Sequence, residues 1–399
     1  MELPLINREK SILAFQERVL HQAIERDTPL LERIQFLTIV SSNLDEFFEV
    51  RFANIKERIF AGEKQIDGES IEEWSQDIKA RVENLTAAQY RLYSEELLPA
   101  LEREANARVI AAKDWNEEDL HFLADYFVDS VAPLLTPIAL DVAHPFPHIF
   151  NKTLNFIIEL EGFDAYGREV EKAILPLPKN LPSLLKLPSE KGEYRFATMC
   201  ELVASRIDEV FEGLSVKAVH QFRVTRNSHL FIDEEELTNL HQTLKGELHQ
   251  RNFGHAVRLE VMESMPEGLA QLLLDHFELS EIDLYRIQGF IDLTRFGEIR
   301  DYLSHNKALI YPPFTPRVPH KWAKSEDPFE LIRKQDLVLH HPFDSFSPVV
   351  ELLERAATDP AVQMIRMTVY RTGDESLLME HLVTAAENGK EVNVVFELM

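Results

Sequence analysis

The sequence predicts a multidomain α and α/β protein: an N-terminal helical bundle, a central α+β domain, then the opening βαβαβ of an α/β domain. Three observations carry that expectation. Residues 1–104 show helical apolar periodicity, with Gly sparse and proline only at Pro4, Pro29 and Pro99. Residues 105–317 interleave short strand-like runs with helical stretches and end in a Pro-rich tract, Pro312 to Pro319. Residues 318–399 alternate apolar strand-like and helical segments, as parallel crossover units do.

In the first part, a helix over Ser11–Arg26 places Ile12, Phe15 and Val19 on one side. Two apolar runs follow: Leu30, Leu31, Ile34 and Leu37, then Leu44, Phe47, Phe48, Phe52 and Ile55. Between them lie Ser41, Ser42 and Asn43, side chains that compete with the backbone for hydrogen bonds and favour caps over helix interiors. The pattern predicts a helix that stops near Asn43 and restarts. Asn43 then either caps the second helix or presents its amide as a recognition group, with Arg51 on the same side as the apolar stripe. Two charged amphipathic helical segments are expected across Ile71–Leu101.

In the second part, Thr153–Leu160, Lys172–Leu177, Val216–Arg226 and His229–Ile232 read as strands. Helices are expected over Met199–Glu212, Asp233–Gln250 and Glu267–Phe277. In the third, Leu337–His340, Val362–Tyr370 and Val392–Leu398 read as strands of a parallel sheet. The helices between them start at Ser347-Pro348, cap then proline, and end at Asn388-Gly389, a left-handed cap. Because the chain stops at Met399 beside an unpaired strand edge, a fragment of a larger α/β domain is expected.

The 399 residues carry a net charge of −26, which excludes nucleic-acid binding through a broad basic face and requires any polyanion site to concentrate its positive charge locally. No apolar run is long enough for a membrane span. One cysteine, Cys200, rules out an internal disulfide, fits a cytoplasmic setting and reads as a small buried hydrophobe. No Walker loop is present. The histidine pairs His144/His148 and His340-His341 and the triplet His305-Asn306-Lys307 carry no metal or catalytic signature. Tyr370-Arg371-Thr372-Gly373-Asp374-Glu375 lies at a strand-to-helix turn, where open parallel sheets gather ligands. There Arg371 either offers its fork to phosphate oxygens or pairs with Asp374 and Glu375.

These segments together resemble the long-chain polyphosphate kinase family, ATP-polyphosphate phosphotransferases. The resemblance runs the length of the chain. Its carriers are Phe15-Gln16-Glu17-Arg18-Val19-Leu20, Ser42-Asn43-Leu44-Asp45-Glu46-Phe47, Val50-Arg51-Phe52-Ala53, the connector Pro313 to Pro319, Val369-Tyr370-Arg371 and Val395-Phe396-Glu397-Leu398.

The resemblance implies a nucleotide-contacting helical domain over 1–104, a dimerisation domain over 105–317 and, over 318–399, the start of a phospholipase-D-like catalytic domain. It implies reversible transfer of the ATP terminal phosphate to polyphosphate through a phosphohistidine, with ATP/ADP and polyphosphate as partners, Mg2+ as cofactor and a homo-oligomer as the assembly. It assigns Asn43 to the nucleotide and Arg371 to the Mg2+–phosphate site. Since a guanidinium has no lone pair, Arg371 is expected on the phosphates that the metal bridges. The family's phospho-accepting histidine matches no position here, so no catalytic residue is assigned and the chain alone is expected to be inactive. The alternative is a non-enzymatic nucleotide-binding and dimerisation module acting with a separate catalytic chain.

Overall fold

The computed structural model describes residues 6–66, 68–140, 146–163, 167, 169–211, 213–228, 254–325, 327–369 and 376–396. The chain divides into two compact units, Met1–Tyr311 and Pro312–Met399.

The first unit opens with α1 (Arg8–Ile24), α2 (Leu30–Glu46), a π-helical turn (Phe47–Phe52) and α3 (Ala53–Phe60). A small hairpin, β1 (Gln65–Ile66) and β2 (Glu69–Ser70), leads into α4 (Ile71–Arg91), a second π turn (Leu92–Leu97) and α5 (Leu98–Ala105). The expected break at Ser41–Asn43 is absent, because α2 runs straight through all three residues. Tertiary packing outweighs their local preference. The buried Gln89 amide on α4 donates to the Leu37 carbonyl at 2.8 Å and to the Ser41 hydroxyl at 2.7 Å. Leu37, Val40 and Leu44 are buried on the same stretch.

The irregularity falls one turn later instead. Widening the helix to an i→i+5 repeat puts Phe47 and Phe52 on one face, and Phe48 joins them in the core. Phe48 meets Phe52 edge-on at 5.2 Å, and Phe52 stacks on Trp74 at 6.1 Å.

The remaining strands of this unit form two sheets. One has six strands in the order β11 (Leu284–Ile287), β10 (Ala256–Met262), β9 (Ser215–Arg226), β5 (Leu154–Glu161), β6 (Lys172–Pro176), β4 (Ile138–Leu140), antiparallel except for the β10–β11 pair. The other pairs β3 (Ala107–Val109) parallel and β7 (Leu184–Lys186) antiparallel to β8 (Tyr194–Thr198).

Strand alternation sends Phe156 and Ile158 into a core shared with the helices before residue 105, and Ile157, Phe222 and Val224 to the opposite core under the helix Glu267–Phe277. Both sheet faces are therefore covered. The strands expected at 153–160, 172–177 and 216–226 and the helix at 267–277 are present. The helix expected over Met199–Glu212 is two short helices, Met199–Ser205 and Ile207–Val210, separated at Arg206, whose φ of −114° leaves the helical region. The elements expected at 229–232 and 233–250 lie outside the described residues.

The second unit holds the helix Ser347–Thr358, β12 (Met364–Val369), the helix Leu377–Glu387 and β13 (Glu391–Phe396), with β12 and β13 parallel. Its core joins Leu353, Ala357, Ile365, Leu382 and Ala385. Leu337–His340 is not a strand, so the expected βαβαβ begins one element later. Its backbone is held locally instead: the His340 amide donates to the Asp344 carboxylate at 2.9 Å and the Asp344 amide returns to the His340 carbonyl at 2.8 Å. Val338 is left exposed. Ser347 is the first helical residue rather than the cap, and its amide donates to the Ser345 hydroxyl. Gly389 takes the left-handed conformation expected after Asn388, with φ of +79°.

Candidate functional site

Asn43 and Asp45 are two residues apart on α2, which turns their side chains about 200° from each other. Each consequently faces a different neighbour.

Asn43 faces α1. Its Nδ2 donates to Oε1 of Gln16 at 2.8 Å, and Gln16 is buried while Asn43 is half-buried. The helix carries a polar side chain that is braced from behind and partly open to solvent. Arg371, the other residue singled out in the sequence, lies outside the described residues, as does the whole turn 370–375.

Asp45 faces the six-stranded sheet. Its carboxylate accepts from Nη1 of Arg223 at 2.8 Å and from Nη2 of the same guanidinium, and also from Nη2 of Arg258. Glu260 completes the cluster, 2.7 Å from Arg223 and 3.1 Å from Arg258. Arg223 on β9 stands directly across from Glu260 on β10 and Thr225 across from Arg258, so the sheet register itself assembles the cluster. Arg258 also lies over the Phe48 ring, 4.6 Å from its centre.

Burial alone would raise the Asp45 carboxyl. Arg223, and after it Arg258, overcome that and hold it down at about 2. The sequence reading missed this cluster. A signal was present: charged residues at alternate positions of otherwise apolar strands, Arg223 between Phe222 and Val224, and Arg258 and Glu260 around Leu259.

Beside the cluster is a cavity of about 550 Å3, walled by Asp45 and Glu49 from α2 and its π turn, by Lys152 and Lys179, and by Arg223 and Arg295. Lys152, at a left-handed φ of +55°, reaches Glu49 at 2.7 Å. Burial, and then the neighbouring Lys152 and Arg223, push the Lys179 ammonium down; its Nζ donates to the Asn151 carbonyl at 2.8 Å. Cys200 is also in the wall, and burial pushes its thiol up to about 12, which makes it an unreactive apolar group at neutral pH. Asn43 is not part of this wall.

Among the described residues, no group of three or more His, Cys, Asp or Glu side chains is arranged to hold a metal ion. His305 contacts the Tyr194 hydroxyl at 3.2 Å and the Tyr302 carbonyl at 3.0 Å, and His341 contacts the Asp344 carbonyl at 2.9 Å.

Comparison with known proteins follows the order of these elements. Residues 5–109 match the family model of the polyphosphate kinase N-terminal domain, 118–299 that of the polyphosphate kinase middle domain, and 327–399 that of polyphosphate kinase C-terminal domain 1. Polyphosphate kinase of Burkholderia ambifaria (strain MC40-6) is 46% identical over 400 residues, covering 99% of this chain and 58% of that protein. That of Pseudomonas syringae pv. tomato is 44% identical, covering 98% of this chain and 54% of the relative. The crystal structure of polyphosphate kinase from Porphyromonas gingivalis shares the fold, with a TM-score of 0.81 over 100% of this chain and 56% of that one, at 24% identity. The chain thus spans somewhat more than half the length of the relatives it matches. With all three matching segments in succession along its length, it belongs to the polyphosphate kinase family.

Proposed function

We propose that the complete protein of which these 399 residues are part transfers the terminal phosphate of ATP reversibly to long-chain polyphosphate. The observation that carries this reading is the succession of three domain models of one family along the chain. In the proposed cycle a histidine nitrogen attacks the γ-phosphorus and ADP leaves. A terminal oxygen of polyphosphate then takes the phosphoryl group and the histidine is regenerated. Splitting the transfer in this way avoids bringing two polyanions together in one step.

In this reading the helical part, 1–104, contacts the nucleotide through Asn43, residues 105–317 support a homo-oligomer, and 318–399 open a phospholipase-D-like catalytic domain. Arg371 binds phosphate oxygens, its planar fork spreading positive charge over them, with Mg2+ supplying further neutralisation when bound. The setting is cytoplasmic. Among the described residues no helix is long and apolar enough to cross a membrane. The phospho-accepting histidine is not assigned to any of the 399 residues, so this chain alone is inactive.

Incubation of the complete protein with γ-labelled ATP and Mg2+ tests the reading. Acid-labile phosphoprotein and acid-insoluble polymer are expected from the complete protein and from neither step with residues 1–399. ATP turnover that releases only free phosphate would contradict it.

A further inference from the structure

Resting on the assignment of Asn43 to the nucleotide, we infer that Gln16 is a positioning residue that orients the Asn43 amide and so sets the preference for a 6-amino purine over a 6-oxo purine. The observation is the bond between the two amides: Asn43 Nδ2 donates to Gln16 Oε1 at 2.8 Å. Gln16 is 4% exposed, packed in the interface of α1 with α2, whereas Asn43 is half-buried. The backbone beneath Asn43 is fixed as well. Two residues on, Asp45 is held by two buried guanidiniums, and Gln89 binds the same helix at Leu37 and Ser41. The position of Asn43 is thereby set, and the remaining freedom is which way its amide faces.

Gln16 restricts that freedom. With one Nδ2 hydrogen engaged by Oε1, Asn43 keeps Oδ1 and its second N–H for a ligand. Adenine offers a donor, the 6-amino group, next to a ring-nitrogen acceptor, which is the complement of that pair. Guanine offers an oxygen at position 6, so the same amide meets acceptor with acceptor unless it turns over. Turning it over sets Oδ1 of Asn43 against Oε1 of Gln16, so the buried Gln16 amide must turn with it, and that coupled rearrangement in the α1–α2 interface is the cost of accepting a 6-oxo purine. A site built to pair a hydrogen-bonding group rejects the analogue that leaves its own groups unpaired.

Two substitutions in the complete protein test this, read as the ratio of ATP to GTP affinities. Gln16→Glu presents acceptors only and holds Asn43 in the same orientation, so the ratio is expected to stay or rise. Gln16→Leu removes the acceptor and frees the amide to turn, so the ratio is expected to fall by about tenfold, mainly through tighter GTP binding. A simple loss of packing would weaken both nucleotides alike and leave the ratio unchanged. If Asn43→Ala weakens ATP but the ratio in Gln16→Leu stays at the wild-type value, or Gln16→Glu brings it to parity, the role of Gln16 is overturned and the nucleotide site stands. If Asn43→Ala leaves ATP affinity untouched, the site assignment itself fails and takes this inference with it.

Discussion

Asp45 on α2 and Arg223 on β9, 178 residues apart in sequence, share two hydrogen bonds inside the first unit, one of them 2.8 Å long. The pair ties the helix that carries Asn43 to the central sheet. Arg258 binds the same carboxylate from the next strand, and Glu260 and Asp292 add further negative charge around the two buried guanidiniums.

Replacing Asp45 with Asn keeps the shape but removes one of the two carboxylates that touch both buried guanidiniums and turns an amide N–H donor toward them. A loss of about 3–5 kcal/mol is expected, read as a lower urea midpoint by tryptophan fluorescence, to which Trp74, buried against Phe52, contributes. The pH dependence follows from the carboxyl lying at about 2 when folded, below its ordinary value of 3.8. A group depressed in this way stabilises the fold above its unfolded pKa, and that contribution disappears as pH falls from about 4 toward 2. The Asn variant is expected to lack that part of the acid slope; an unchanged slope would remove Asp45 from the account.

Cys200 has its thiol pushed up to about 12 and is 4% exposed. An aromatic disulfide reagent at pH 8 is expected to titrate no thiol in the native chain and one thiol in denaturant. Rapid native labelling would show that the cavity wall around Met199 and Cys200 opens.

Gly389 follows the helix Leu377–Glu387 at φ +79°, and a Cβ placed there would meet no atom within 4 Å. The cost of Gly389→Ala is therefore purely conformational, about 1 kcal/mol. It is expected as a lowered thermal midpoint of the second unit; an unshifted midpoint would mean that the turn readily takes another conformation.

Much of the architecture was legible in the sequence because it follows from periodicity. The β-branched and aromatic apolar run Phe156-Ile157-Ile158 marked β5, and the apolar stripe from Leu269 to Phe277 marked the helix beneath the sheet. What misled was local preference read without partners. Ser41, Ser42 and Asn43 look like a break, yet Gln89, 48 residues beyond Ser41, holds the helix together. Leu337-Val338-Leu339 looks like a strand, but a strand needs a paired neighbour and this segment is turned back by Asp344. The Asp45 cluster was hidden for a related reason: Arg223, Arg258 and Glu260 become one site only when the β9–β10 register is known.

Nucleotide affinity of the complete protein carrying Asn43→Ala is the most direct test of the central claim. Loss of the half-buried amide that Gln16 braces is expected to weaken ATP by about 1–3 kcal/mol, or roughly 5- to 150-fold in Kd, with the fold intact. Wild-type affinity for ATP in that variant would contradict the account.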